Sequence, residues 1–360
     1  MRWLARFAVC VAVSSVACGT TGAPDGTSAG GGTGLGGGTA TGGTGGSSNG
    51  LGGSATGGST VTSTGGSTTI SNGGAAGSSG GAGVAGQGGV PPTTDSKSHV
   101  MTWVPPYHVN EAKTQLAASF GGLGMADGLS FLALQFWIVN GATTRLDQVS
   151  EADITWFHDW AHQHNVKILL CVDNNTGSWD WPAAVSSFRD NKAAFAAHLQ
   201  SEVMTRGFDG VDLDLEGIVE ATGDEQTAYI AFAKTLADGL HAQGKVLTAD
   251  SFFAQWNAPN WNWWPDLLPI VDGITSMGYE QSGLDTDYPQ LVAHASVAPK
   301  KLMIGVPSYF GTWTNHTVTE QLGWLVQQGQ VGTAIWDASL TAPEWQQRGV
   351  WEQLQAIKSR

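Results

Sequence analysis

The stretch FDGVDLDLEG, residues Phe208 to Gly217, alternates apolar and acidic side chains. A period of two in hydrophobicity is typical of a β-strand. One face of this strand would carry three apolar residues, Val211, Leu213 and Leu215. The other face would carry three acids, Asp212, Asp214 and Glu216. Facing outward, the acids would be an ordinary hydrated surface; facing inward, each unpaired charge would cost on the order of several kcal/mol.

The chain beyond Ser98 repeats a unit of strand and helix, which is typical of βα units around a parallel sheet. Eight strands are predicted: His99–Val104, Gly128–Ile138, Val166–Val172, Gly207–Glu216, Lys245–Ser251, Val271–Met277, Lys301–Val306 and Gly332–Trp336. Four of the intervening helices are predicted at Glu151–His164, Lys192–Arg206, Asp224–Gln243 and Val318–Gln328. Eight strands in roughly 260 residues favour an α/β fold of the closed (β/α)8 TIM-barrel type, for which about 250 residues are usual. No Gly-rich phosphate loop follows the first strand, which argues against an open nucleotide-binding sheet.

Barrel geometry predicts which way the acidic face points. Strand side chains alternate between the barrel interior and the surrounding helices, and a helix layer requires apolar partners. The acids should therefore point into the barrel. At about 3.3 Å per residue they rise about 13 Å toward the carboxyl end of the strand, the end at which barrel active sites lie. Glu216 is expected at the mouth.

Two segments precede the predicted barrel domain, residues 98–360. Residues 1–17 have the positive start and short apolar core of an export signal, and the core is too short to span a bilayer. Residues 18–97 are rich in Gly, Ser and Thr, which predicts a flexible linker. The sequence SVAC, ending at Cys18, resembles a bacterial lipoprotein cleavage box, although SVA would also suit ordinary signal cleavage. We therefore expect an exported protein, either lipid-anchored at the cell surface or secreted.

The net charge and the cysteines limit the binding partners and the disulfides that the sequence allows. The formal charge of −14 makes nucleic acid and anionic membranes poor partners and favours a neutral substrate. Membrane contact is expected only through the N-terminal anchor. Cys10 lies in the signal, Cys18 at the cleavage site and Cys171 in an apolar run, so no disulfide is expected within the mature chain. We expect a monomer that needs no cofactor.

Two metal hypotheses are weaker than their alternatives, and we predict no metal site. The acidic alternation differs from a calcium-binding EF-hand loop, which needs a glycine at its sharp turn and has no interleaved leucines. His158 and His162 stand four apart on a predicted helix and could bind zinc, but a hydrated helix face explains them better.

The acidic motif resembles that of a known enzyme family. Residues 209–216, DGVDLDLE, match the D-x-x-D-x-D-x-E signature of family 18 glycoside hydrolases, the chitinases and endo-β-N-acetylglucosaminidases. Three later stretches resemble the sixth, seventh and eighth strands of that family: VDGITSMGYE, KLMIGVPSYFG and GTAIWD. Glu280 departs from the usual Asp, and CVDNN at Cys171 to Asn175 replaces the Ser-x-Gly-Gly of the third strand. Leu215 and Gly217 replace aromatic residues of many chitinases, which is closer to the endoglycosidase pattern.

The resemblance implies a role for each acid. Glu216 would be the general acid and then the general base, Asp214 would orient the 2-acetamido group of the substrate, and Asp212 would set the charge state of Asp214. The acetamido oxygen itself would attack the anomeric carbon, so that no enzyme nucleophile is needed. Tyr279 would donate a hydrogen bond to the acetamido group, and Trp336 would form the floor beneath the sugar.

Further site residues are predicted with these. We assign substrate contacts to five residues: Trp336, Met277, Glu280, Trp103 and Phe136. Asp209 and Gly210 are taken as structural parts of the motif, because Asp209 falls on the opposite strand face. Six other tryptophans could stack on sugar rings or pack loops against the barrel, and both interpretations stay open: Trp179, Trp181, Trp256, Trp261, Trp263 and Trp264.

The sequence therefore predicts a retaining glycoside hydrolase that cleaves β-1,4 bonds next to N-acetylglucosamine. Only about twenty residues separate Gly311 from Gly332, too few for an inserted α+β domain, so we expect an open groove and endo cleavage. Chitin-type oligomers are the leading substrate, followed by the chitobiose core of N-glycans and by peptidoglycan. A non-catalytic, lectin-like barrel and a surface scaffold are the alternatives from other functional classes.

Overall fold

The computed structural model describes residues 97–217, 221–251, 261–279, 284, 286–309, 312–313 and 316–360. The predicted signal, Cys18 and nearly all of the predicted linker lie outside these residues, and those predictions stay predictions. Glu280 and Trp256 also lie outside the described residues. Within the described part of the chain, no helix has both the length and the apolar character needed to cross a bilayer.

Eight parallel strands form a closed sheet, as the sequence predicts. We number them in chain order: β1 Val100–Val104, β2 Phe131–Asn140, β3 Lys167–Asp173, β4 Gly210–Asp214, β5 Val246–Ser251, β6 Gly273–Ser276, β7 Leu302–Pro307 and β8 Gly332–Trp336. Each strand pairs with the next, and β1 pairs in parallel with both β2 and β8. That last pairing closes the (β/α)8 barrel and leaves it with no free edge.

Helices surround the barrel. In chain order they are α1 Val109–Leu116, α2 Met125–Gly128, α3 Glu151–Gln163, α4 Trp181–Val185, α5 Lys192–Arg206, α6 Gly223–His241, α7 Trp264–Leu267, α8 Asp287–His294, α9 Val318–Gln328 and α10 Arg348–Lys358. Local chemistry sets several of their ends. Ser150 and Asp153 form a capping box at the start of α3. Gly207 and Gly329 end α5 and α9 in the left-handed conformation that glycine adopts at little cost.

Among the described residues, several short elements lie outside the eight strands and ten helices of the barrel. Thr143–Leu146 adds an antiparallel strand to the end of β2. Between β7 and β8 the described residues contain only a short hairpin, Thr312–Trp313 with His316–Thr317, and α9. Single helical turns of 3-10 or π type occur at Pro106–His108, Ser186–Asp190, Trp261–Trp263, Pro299–Lys301 and Pro343–Gln346.

The core has two layers that follow from the two-residue period of the strands. The larger layer lies between sheet and helices and includes Val211, Leu213 and Leu215, the apolar face of the opening stretch. The smaller layer fills the barrel: Met101, Trp103, Phe131, Ala133, Leu169, Cys171, Met277, Tyr279, Met303 and Ala334. The acidic face of β4 therefore points inward, which answers the question raised by its alternation.

Candidate active site

The three acids of the motif climb the inner wall of the barrel. Asp212 and Asp214 lie on β4 and are 0% and 2% exposed. Glu216 lies two residues beyond the end of β4 and is 6% exposed. All three are thus withdrawn from bulk water, and each needs a partner or a proton to offset that desolvation.

Asp212 is held by donors from two other strands. The Trp103 indole Nε1, on β1, donates to Oδ2 of Asp212 at 2.8 Å, and the Thr248 hydroxyl, on β5, donates to Oδ1 at 2.5 Å. Burial raises the pKa of Asp212, while both donors favour the carboxylate and oppose that rise. Both carboxylate oxygens of Asp212 therefore accept a hydrogen bond.

Asp214 is less well satisfied. The Gln135 amide, on β2, donates to its Oδ2 at 2.5 Å. Burial, together with the neighbouring Asp212 charge, raises the pKa of Asp214 to about 7. Its Oδ1 atom has no hydrogen-bond partner among the described residues. Asp214 can therefore exchange a proton near neutral pH and still accept a hydrogen bond from a ligand.

Two further acids enlarge the cluster, and the sequence analysis missed both. Asp173 is opposite Asp214 in the β3–β4 register, and Asp250 lies on β5. Burial, then the charge of neighbouring aspartates, raises the pKa of each well above its usual range. A sequence signal was present. Alternation along the predicted strand Lys245–Ser251 puts Asp250 on the face of Thr248, and alternation continued one residue past the predicted strand Val166–Val172 puts Asp173 on the face of Cys171.

Three side chains in this cluster have a spacing that could suit a metal ion. Cys171 Sγ and carboxylate oxygens of Asp212 and Asp250 lie within 4.8 Å of one another. Burial raises the pKa of the Cys171 thiol well above its usual value, which favours the protonated sulfur over the thiolate that binds metals. Both Asp212 oxygens already accept hydrogen bonds from Trp103 and Thr248. A cation would have to compete with these protons and donors.

The main chain of Glu216 is held by a side chain of the neighbouring strand end. Asn174 follows β3 and is fully buried. Its Nδ2 donates to the Glu216 carbonyl oxygen at 2.7 Å, and the Glu216 N–H donates to its Oδ1 at 2.8 Å. Asn174 belongs to the CVDNN stretch, which the sequence marked only as a departure from the family pattern.

Aromatic residues form the wall beside the acids. Tyr279, Trp103 and Trp336 contact one another, with ring centroids 5.7 Å apart for the two tryptophans and 6.4 Å from each of them to Tyr279. The Tyr279 ring lies against Gly305 of β7, where an added Cβ would collide with it. The Tyr279 hydroxyl is buried and has no hydrogen-bond partner among the described residues. Met277 lies in the same barrel layer.

One predicted substrate contact is wrong. Phe136 is fully buried in the layer between sheet and helices, where it packs against Trp137 and Phe157. The alternation of β2 explains the error: Phe131, Ala133 and Gln135 face the barrel interior, so the next residue faces the helices. Gln135 occupies the place at the site that the sequence analysis assigned to Phe136.

Asp209 and Gly210 lie at the opposite end of β4 from Glu216. Asp209 accepts hydrogen bonds from the Ile168 N–H and from His162 Nε2, each at 3.0 Å. It thereby ties the start of β3 to helix α3. Gly210 passes so close to β5 that a Cβ would collide with the Val246 carbonyl oxygen.

The remaining tryptophans divide between packing and the surface. Trp263, Trp264 and Trp181 are 5%, 0% and 7% exposed, and the Trp264 indole donates to the Ser251 hydroxyl at 2.7 Å. These three pack short helical segments into the layer between sheet and helices. Trp179 and Trp261 are only partly buried.

A closed (β/α)8 barrel whose mouth carries stacked carboxyl groups beside an aromatic wall is the arrangement of a carbohydrate-cleaving enzyme. A family model agrees with it: the model described as "Glycosyl hydrolases family 18" matches residues 101–357. The chain belongs to this family and is a glycoside hydrolase.

Individual relatives are more distant. A chitinase from Enterococcus faecalis is 40% identical over 63 residues, a match that spans 18% of this chain and 18% of that protein. The structure of a chitinase from Chromobacterium violaceum has a TM-score of 0.56 at 13% identity and covers 73% of this chain and 100% of its own. The Bacillus cereus spore cortex-lytic enzyme SleL has a TM-score of 0.57 at 13% identity, covering 72% of this chain and 74% of that one. At 13% identity, the similarity to these two structures shows that they share the fold with this chain.

Proposed function

We propose that the barrel hydrolyses β-1,4 bonds adjacent to N-acetylglucosamine, with retention of configuration and with the substrate's own acetamido group as nucleophile. The observation that carries this proposal is a pair of unpartnered groups. Asp214 Oδ1 can accept a hydrogen bond, and the Tyr279 hydroxyl can donate one. A 2-acetamido group offers the complement, an N–H and a carbonyl oxygen, so binding it would satisfy both buried atoms.

In the first step Glu216 would donate its proton to the glycosidic oxygen as the bond from that oxygen to the anomeric carbon breaks. The acetamido carbonyl oxygen would attack the anomeric carbon and form a cyclic oxazolinium ion, with Asp214 accepting the acetamido N–H. In the second step the Glu216 carboxylate would take a proton from water, and the water oxygen would open the ring. Two inversions at the same carbon give retention.

The neighbouring residues support this chemistry by charge and by shape. An ionised Asp212 beside Asp214 makes a second negative charge unfavourable, which holds a proton in the group near neutral pH. Trp336, at the end of β8 and against Trp103, would give the sugar an apolar floor. Chitin-type oligomers are the leading substrate, since relatives carry the name chitinase.

The test is the Glu216→Gln variant, which keeps size and hydrogen bonding but cannot transfer a proton. Release of reducing ends from chitin oligomers should fall by about 10³-fold or more, within or near the range usual for loss of a general acid, while the melting temperature stays close to that of the parent protein. Unchanged turnover would overturn the mechanism.

Substrate assistance has its own test. A matched substrate that carries a 2-hydroxyl group in place of the 2-acetamido group should not be cleaved, and equal turnover would remove the acetamido group from the mechanism. Product analysis on chitin oligomers, a high-mannose glycoprotein and peptidoglycan, run side by side, separates the three substrate classes. Binding of chitin oligomers with no reducing ends released would indicate a lectin-like barrel instead.

A further inference from the structure

Glu216 stands where the sheet no longer holds its main chain. The last paired residue of β4 is Asp214, opposite Asp173 on β3, and the pairing with β5 ends one residue earlier at Leu213. Glu216 lies two residues past Asp214. Acid catalysis needs its carboxyl group held to a fraction of an ångström, so its backbone needs support from elsewhere.

Asn174 provides such support in a specific form. Its side-chain amide is bonded on one side to the Glu216 N–H and on the other to the Glu216 carbonyl oxygen, at 2.8 and 2.7 Å. These partners also fix which amide atom is oxygen and which is nitrogen. The two bonds flank the Cα of Glu216, so together they restrict both backbone dihedral angles of that residue. The amide acts as one more rung of the β3–β4 ladder beyond the end of both strands.

Asn174 is itself fixed by the turn that follows β3. Its carbonyl oxygen accepts the Asp180 N–H at 3.0 Å, and the next residue, Asn175, donates its N–H to Asp173 Oδ1 at 2.7 Å. Asn175 also forms an isolated antiparallel bridge with Trp179. The support therefore reaches Glu216 from a closed turn rather than from a free loop.

We infer that Asn174 is a positioning residue for Glu216, and that its side-chain amide sets the orientation of the catalytic carboxyl group by clamping the Glu216 backbone on both sides. This inference rests on the proposed role of Glu216. Alanine or glycine at this position could form neither bond. Aspartate would have the right size but, when ionised, would lack the donor for the Glu216 carbonyl oxygen and would repel it.

The experiment compares three variants of the full chain on one chitin oligomer: Asn174→Ala, Asn174→Asp and, as matched control, Asn175→Ala. Asn175 lies in the same turn, and its side chain accepts the Gly177 N–H without touching Glu216. We expect Asn174→Ala to lower kcat about 10²-fold with KM within about threefold, because a displacement near 1 Å costs about that much in rate. The Asn175→Ala control should keep kcat within about threefold of the parent.

The Asn174→Asp variant adds a readout that general loosening would not produce. A protonated carboxyl group can donate to the Glu216 carbonyl oxygen and accept from its N–H, whereas the ionised form cannot donate. Three acids lie near this position: Asp173 at the same strand end, and Asp214 and Glu216 at the end of β4. Their negative charges favour the protonated form of the carboxyl group that Asn174→Asp introduces as the pH falls. Its kcat, divided by that of the parent at each pH, should therefore rise toward lower pH. For Asn174→Ala, the ratio of its kcat to that of the parent should not change with pH.

Two outcomes would overturn the inference: an Asn174→Ala kcat within threefold of the parent, or equal losses in Asn174→Ala and Asn175→Ala. If Asn174→Ala does not fold, judged by its thermal transition, the isosteric Asn174→Asp variant decides the matter, and a ratio independent of pH counts against the clamp. Glu216→Gln is assayed alongside. If Glu216→Gln is inactive while Asn174→Ala has the kcat of the parent, only the inference about Asn174 is overturned. If Glu216→Gln is active, the proposed function itself is overturned.

Discussion

At the scale of single residues, the site is a set of buried acids whose surroundings shift their pKa values by different amounts. Asp212 accepts hydrogen bonds from Trp103 and Thr248, whereas Asp214 accepts one from Gln135, interacts with Glu216 and lies beside the charge of Asp212. Burial is common to both, so the difference between them comes from the charge of Asp212 beside Asp214 and from their different donors. Such a difference is what allows one carboxyl group to stay charged while its neighbour carries a proton.

The raised pKa of Asp214 predicts a pH-dependent stability. Its pKa rises from 3.8 unfolded to about 7 folded, so the folded state keeps a proton that the unfolded chain has lost, and stability falls as the pH rises between these values. The Asp214→Asn variant avoids that cost. Near pH 3.5 it should melt at the same temperature as the parent. At pH 8 it should melt at a higher temperature, with an unfolding free energy larger than that of the parent by at most about 4 kcal/mol.

Thermal unfolding across that pH range measures the difference. Asp238→Asn is the control, because Asp238 is exposed on α6 and stays hydrated in the folded state. Its curve should run parallel to that of the parent. A constant offset between Asp214→Asn and the parent at all pH values would contradict the assigned burial cost.

At the scale of elements, the position of each strand depends on where the backbones can approach. Gly210 begins β4 at its contact with β5, and the chain there passes too close to Val246 for any side chain. The glycine of the DGVDLDLE motif thus has a packing reason, separate from the chemistry of the acids. It sets the spacing of β4 and β5, and with it the hydrogen bond from Thr248 to Asp212.

Gly210→Ala should therefore lower stability by about 3 kcal/mol, the upper range for forced backbone shifts. Gly223→Ala is the matched control at the start of α6, where a Cβ would meet no atom within 4 Å. It should be neutral or stabilising by up to about 1 kcal/mol, because alanine restricts the unfolded chain. Denaturant unfolding compares the two. Equal effects would show that the close approach to Val246 is relaxed at little cost.

At the scale of the whole molecule, a barrel enzyme is predicted to follow an export signal and a long Gly-rich linker. We propose that Cys18 is lipidated and that the linker holds the barrel away from the membrane surface. Such a spacer suits a domain that must reach an insoluble or bulky polymer. The barrel supplies the chemistry, and the linker would supply reach.

The Cys18→Ser variant tests the anchor. In the native host, the parent protein should partition into the membrane fraction and Cys18→Ser into the soluble exported fraction, with the same activity per molecule. Cys10→Ser, within the predicted signal, should remain in the membrane fraction. Recovery of the parent protein in the soluble fraction would indicate ordinary signal cleavage after SVA.

The sequence could predict the parts of the site that depend on residues close together in the chain, and not the parts that depend on contacts between distant residues. The inward direction of Asp212, Asp214 and Glu216 could be predicted because their alternation lies within ten residues, and Trp103, Met277 and Tyr279 lie in the barrel layer. The catalytic roles of these residues stay predictions. Phe136 was assigned to the wrong face because β2 carries apolar residues on both faces, so its sequence does not show which face points inward, and a bulge interrupts the strand between Gln135 and Trp137.

The sequence alone determined the strand and helix pattern, the inward direction of the acids and the barrel class, because a two-residue period is a property of the extended backbone itself. Only the tertiary structure decided which side chains meet these acids. Gln135, Thr248 and Asn174 reach them from three other strands or strand ends, between 36 and 79 residues away in the chain. Closing the barrel is what brings those residues together, and one polar residue in a strand carries no local sign of the partner that it will find.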